Sequence, residues 1–150
     1  MTISLCFYIT AKEADSTTKK LLHQVDIMID NGNAKKALKI LSDALAVAPE
    51  DVELMTKRAE LYVYMERGEE SQEDLNRIMA LDSEYVPAIM VRATLKAFQG
   101  ELDSAFYFIN KGLSLSPNPK IEESLHGLKG NLLMKMGEYR KAETALFKAT

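Results

Sequence analysis

Two histidines and one cysteine are all the imidazole and thiol chemistry that this 150-residue sequence offers. A base, a nucleophile or a soft metal site needs such groups in a fixed spacing. His23 and His126 lie near opposite ends of the chain, and Cys6 stands alone. There is no H-E-x-x-H, no paired-cysteine metal spacing and no G-x-x-x-x-G-K-[ST] phosphate loop. The 22 acidic residues supply carboxylates, yet none pairs with a nucleophile in a recognisable arrangement. His126 occupies an apolar packing position and reads as a structural histidine. A lone cysteine cannot close a disulfide within the chain, which leaves a bystander thiol or a link between two chains. The expectation is a protein without catalysis, cofactor or metal.

Binding chemistry remains, and the elements that would position it repeat. At an offset of 34 a small residue recurs at Ala37, Ser71 and Ala105, then at Ala142 after three extra residues. A branched aliphatic follows at Leu41, Leu75, Ile109 and Leu146, then Ala44, Ile78, Gly112 and Ala149. Earlier in each unit come Val25, Ala59, Ala93 and Gly130. Intervals of four and three put these sites on one helical stripe, where small side chains admit a neighbouring helix. Glycine separates the halves of each unit at Gly32, Gly68, Gly100 and Gly137, with Gly68 displaced by two residues. Pro49 and Pro117 close the first and third units. Two helices of about 14 residues and a short turn fill such a unit. Each is thus a helical hairpin that buries its apolar faces only by stacking on the next.

Ile89, Ala93, Gly100, Ala105, Ile109, Gly112 and Pro117 are similar to the signature of the tetratricopeptide repeat (TPR) family. The resemblance covers Thr18–Thr150. It departs at Leu21, Met55, Ile89 and His126, where the family often has tryptophan, and at Lys96, where Tyr62 supplies the usual tyrosine one unit earlier. Gln24, Arg58, Arg92 and Lys129 replace a common leucine. The resemblance implies an all-α, right-handed superhelix (α-solenoid) of antiparallel hairpins. Its repeats are 18–51, 52–85, 86–119 and an incomplete 120–150, preceded by an extension over 1–17.

The expected first hairpin runs over 18–31 and 33–48, the second over 51–67 and 69–81, the third over 85–99 and 102–115. Asp82 and Ser83 suit the start of the third, and Asn118 and Pro119 the start of the fourth, which reaches Met136 and resumes at Tyr139. The chain stops just past its last packing site, leaving Leu146 and Phe147 partly bare, as in a fragment of a longer polypeptide or an end that pairs with another molecule. The apolar Ile3–Ile9 and the polar stretch after it resemble the back half of a secretory signal without a basic start or a clean cleavage site. An ordered tail on the first repeat is the other reading, and the compartment stays open between cytoplasm and export.

A net charge of −3 does not suit nucleic acid, so Lys35, Lys36 and Lys39 read as a solvated helix face. No apolar run approaches the ~20 residues that cross a bilayer.

At 100° per residue, the arc beside the packing stripe of each first helix carries Leu22, Asp26 and Ile29, then Thr56, Glu60 and Val63, then Met90, Thr94 and Ala97, then Gly127, Asn131 and Met134. The resemblance implies that these arcs line a concave groove, bordered by Lys57, Tyr64, Val91 and Phe98. Some family members clamp a C-terminal carboxylate there, but Leu22, Asp26, Lys57, Pro87 and Val91 do not match that clamp, nor do Thr56, Glu60, Val91, Ser124 and Leu128 one repeat later. The groove residues that the resemblance implies are Leu22, Asp26, Lys57, Glu60, Tyr64, Met90, Val91, Thr94, Phe98 and Asn131. The expected guest is an apolar or amphipathic protein segment, with a basic residue to meet Asp26 and Glu60. Phe98 filling the interior of a helix pair is the competing reading. Two other roles stay open: a sensory or regulatory segment of a larger signalling protein, and a homo-oligomer formed through the C-terminal end or the apolar tail.

Overall fold

The computed structural model describes residues 2–115, 118–137, 144 and 146–148, with side chains from residue 16 onward. Seven helices follow one another among the described residues: α1 (Thr2–Asp30), α2 (Ala34–Val47), α3 (Val52–Tyr64), α4 (Gly68–Leu81), α5 (Val86–Phe98), α6 (Leu102–Leu115) and α7 (Pro119–Lys135). The hairpins are α1–α2, α3–α4 and α5–α6, with α7 opening the fourth. α1 begins at Thr2 rather than near Thr18, so residues 2–17 continue the first repeat helix without a break. The second helix expected from Tyr139 falls largely outside the described residues.

The small-and-aliphatic stripe is the core. Val25, Ala37, Leu41, Ala59, Leu75, Ile78, Ala93, Ala105 and Ile109 are all fully buried. Gly112 lets α7 come close: a Cβ there would lie 3.0 Å from the Leu125 side chain of α7. Residue size at this one site thus sets how closely α6 and α7 pack.

Successive first helices touch, α1 with α3, α3 with α5 and α5 with α7, whereas α2, α4 and α6 make no contact with one another. A stack that is closer along one side than the other curves toward the closer side. The first helices therefore form the inner wall.

Position 58 is read as a leucine substitute, yet its guanidinium makes a paired contact that leucine could not. Arg58 Nε and Nη2 each donate to an Asp74 carboxylate oxygen of α4 at 2.7 Å. Nη1 reaches Ser42 Oγ of α2 at 3.4 Å, so one residue ties three helices. In the next repeat Arg92 donates to Asn76 at 2.7 Å and lies over the Phe108 ring at 5.6 Å. There the aspartate is replaced by an aromatic face.

The turns correct one expectation. Gly32 and Gly100 adopt left-handed backbone, with φ of 74° and 78°. The equivalent residue in the second hairpin is Glu66, with φ of 60°, and Gly68 is simply the first residue of α4. All three turns close with the same pair of hydrogen bonds. Gly32 N–H donates to Ile29 O and Asn33 N–H to Met28 O; Glu66 to Val63 and Arg67 to Tyr62; Gly100 to Ala97 and Glu101 to Lys96. The second turn is therefore in register, and a side chain occupies the place that favours glycine. A left-handed residue with a Cβ carries a strain of about 1–2 kcal/mol, partly offset by the chain entropy that glycine would lose. Glu66→Gly is expected to raise stability by about 1 kcal/mol in urea denaturation.

Capping follows the sequence in part. Asp51 accepts from Glu53 N and Leu54 N, and Asn118 from Lys120 N, each at 3.0 Å. Asp82 and Ser83 do not open the third hairpin. Tyr85 is the N-cap of α5 without a side-chain bond, and Asp82 accepts from Glu84 N at 2.9 Å within the loop.

Candidate functional site

Six of the ten predicted groove residues meet at one place on the inner wall. Glu60, Tyr64, Met90, Val91, Thr94 and Phe98, together with Val63, line a cleft of about 220 Å3 between the C-terminal halves of α3 and α5. Parallel first helices in contact present their later turns side by side, which is why residues of consecutive repeats converge there. Val91 is buried and forms the floor. Tyr64 and Phe98 stand at the rim, each 70% exposed. Phe98 thus does not fill a helix-pair interior. The Thr94 hydroxyl donates to Met90 O at 3.1 Å, so it offers the cleft a methyl face.

The polar end is organised differently from its sequence reading. Lys57 Nζ lies 2.7 Å from Asp26 and 2.9 Å from Glu60, bridging α1 to α3. Burial works against the Lys57 ammonium, but its hydrogen bonds to the two carboxylates and their charges outweigh it and raise its pKa. Asp26 and Glu60 are therefore not two free charges awaiting a basic guest residue; they share one cation. The physical reason is length: a lysine stem spans the gap between neighbouring first helices.

Leu22 packs against the core under α1. Asn131 is exposed on α7, away from the cleft. The His126 imidazole is mostly buried, with Nε2 at 4.0 Å from Glu122. Among the described residues there is no cluster of three His, Cys, Asp or Glu placed to hold a metal, and no helix long and apolar enough to cross a membrane.

A second cleft, with no counterpart among the sequence expectations, lies beside the first. Val63, Glu66, Gly68, Leu95, Phe98 and Gln99 enclose about 310 Å3 where the α3–α4 turn meets the end of α5. Val63 and Phe98 belong to both clefts, which therefore adjoin at these two residues. The 34-residue offset marks position 66 as the turn equivalent of Gly32 and Gly100, but carries no signal of a cleft there.

No family model matches the chain. Comparison of the hairpin stack with solved structures is decisive. It superposes on a tetratricopeptide repeat protein from Parabacteroides merdae with a TM-score of 0.75 at 23% identity, covering 85% of this chain and 49% of that one. This is the TPR fold. A thermophilic TPR protein from Thermus thermophilus gives a TM-score of 0.74 at 21% identity, over 87% of this chain and 72% of that one. In sequence, the chain is 27% identical over 114 residues to the human protein O-mannosyl-transferase TMTC1, which covers 75% of this chain. The chain spans only 13% of that relative's length, so the TPR stack here corresponds to a small part of it.

Proposed function

We propose that this chain is a protein-interaction scaffold that holds an apolar or amphipathic polypeptide segment on its inner wall, without catalysis. One observation carries the reading: two aromatic side chains, Tyr64 and Phe98, each 70% exposed, flank a cleft whose buried lining residues are Val63 and Val91 on successive first helices. Rigid, exposed rings around a desolvated floor are the make-up of an interaction hot spot. At about 220 Å3 the cleft is smaller than the roughly 300–1,000 Å3 of small-molecule sites, and it suits one or two protein side chains.

A displayed library of random peptides, selected on the full chain, tests it. Selected peptides, measured by fluorescence anisotropy, are expected to bind the Phe98→Ala variant about 2 kcal/mol more weakly. Because Phe98 is exposed, that variant is expected to unfold within about 0.5 kcal/mol of the parent. Equal affinity for parent and variant would remove the cleft from the proposal.

The length of the human relative supports a second reading, that the stack is the recognition segment of a larger polypeptide. The inner wall would then receive either a separate protein or another part of the same chain.

A further inference from the structure

We infer that the guest is an amphipathic helix with two apolar anchors straddling Phe98 and a basic residue beyond the second anchor, and that Glu66 receives that base. This rests on the inner-wall reading above and specifies its ligand.

The two clefts adjoin at Val63, which is buried, and Phe98, which is 70% exposed, so anchors that fill both clefts enter on either side of Phe98. Side chains three or four residues apart on a helix stand about 5–6 Å apart, which suits two adjoining pockets. The first pocket carries a single carboxylate, Glu60, already held by Lys57 at 2.9 Å. The second carries Glu66, and its position is unusual. Gly32 and Gly100 show that glycine serves the same turn, whereas Glu66 has a strained φ of 60°. Strain of this kind is a pointer to function when it aims a group into a site, and Glu66 lines the cleft.

The neighbouring cations are engaged elsewhere. Arg67 is bonded to Glu70 at 2.6 and 2.8 Å and covers the Tyr62 ring at 4.7 Å, and Lys96 is bonded to Glu101 at 2.9 Å. Among the described residues Glu66 makes no ion pair. An apolar pocket pair edged by Glu66, the carboxylate that no described side chain pairs with, and by an Asp26–Lys57–Glu60 group that keeps one excess negative charge, is complementary to an apolar helix face carrying lysine or arginine.

The probes are helix-forming peptides from a displayed library, measured by fluorescence anisotropy against the full chain. Expected are sequences with two apolar anchors three or four residues apart and a following Lys or Arg. Glu66→Gln should weaken them about two- to five-fold, as for an exposed ion pair. Glu66→Lys should weaken them further and prefer the same peptides with that base changed to glutamate. Binding that depends on Phe98 yet ignores both Glu66 variants overturns this inference and leaves the inner-wall reading standing. Binding that ignores Phe98 overturns both. If the chain self-associates in light scattering through Phe98 and excludes the peptides, the occupant is a second copy and the inference falls.

Discussion

Replacing Asp74 by alanine is expected to remove about 3–5 kcal/mol of stability, read as a lowered urea midpoint with an unchanged slope. The Asp74 side chain is 4% exposed and the Arg58 side chain 16%. Removing the carboxylate strands a guanidinium among α2, α3 and α4 with only Ser42 Oγ, at 3.4 Å, as a remaining polar partner. The hydrogen bond to Asp74 is the leading cause of the raised Arg58 pKa, so the cation stays charged through any practical titration. The loss comes from the uncompensated charge rather than from the pair's net contribution. Exchanging both partners, Arg58→Met with Asp74→Leu, is therefore expected to be within about 1 kcal/mol of the parent or more stable. If the single and double variants unfold alike, the pair does not hold these helices together.

How much of this was legible in the sequence differs by the range over which each feature is set. The stripe Ala37–Leu41, Ser71–Leu75–Ile78 and Ala105–Ile109–Gly112 is a local spacing, and the hairpins follow from it with boundaries close to those observed. Glu66 was missed because glycine was sought as a residue type, whereas the turn is defined by its hydrogen bonds, Glu66 N–H to Val63 O and Arg67 N–H to Tyr62 O. In the sequence Lys57 borders the groove, and Asp26 and Glu60 stand as two free charges. Their union depends on how far α1 lies from α3, and no spacing along the chain encodes that distance. Arg58 and Asp74 are 16 residues apart, one hairpin's return, so a charge scan at that separation would have found them. The second cleft escaped notice for a similar reason: half of its wall is a turn and half is the end of a helix in the next repeat.

Gly112→Leu is expected to cost about 1–2 kcal/mol and to loosen α7 from the stack. The contest at this site is between helix propensity and space. Any residue other than proline favours the helix over glycine by up to about 1 kcal/mol, since glycine gives up the most freedom on folding. Against that, an added Cβ alone would meet Leu125 methyls at 3.0 and 3.3 Å and Ile89 Cγ2 at 3.7 Å. For Gly112→Ala the Leu125 side chain has to shift by only a few tenths of an ångström, and the two terms come near to cancelling. A leucine adds three more carbons in a direction already occupied on two sides, and overpacking of that kind costs about 1–3 kcal/mol, which exceeds the propensity gain at the upper end of that range. Because α7 rests on α6 and α5, separating it from Gly112 strips cover from Leu125 and Leu132 as well. Amide hydrogen exchange should accordingly rise in α7 first, with α3 and α4 still protected. Parent-like stability and uniform exchange in Gly112→Leu would mean that the fourth hairpin does not lean on the third at this point.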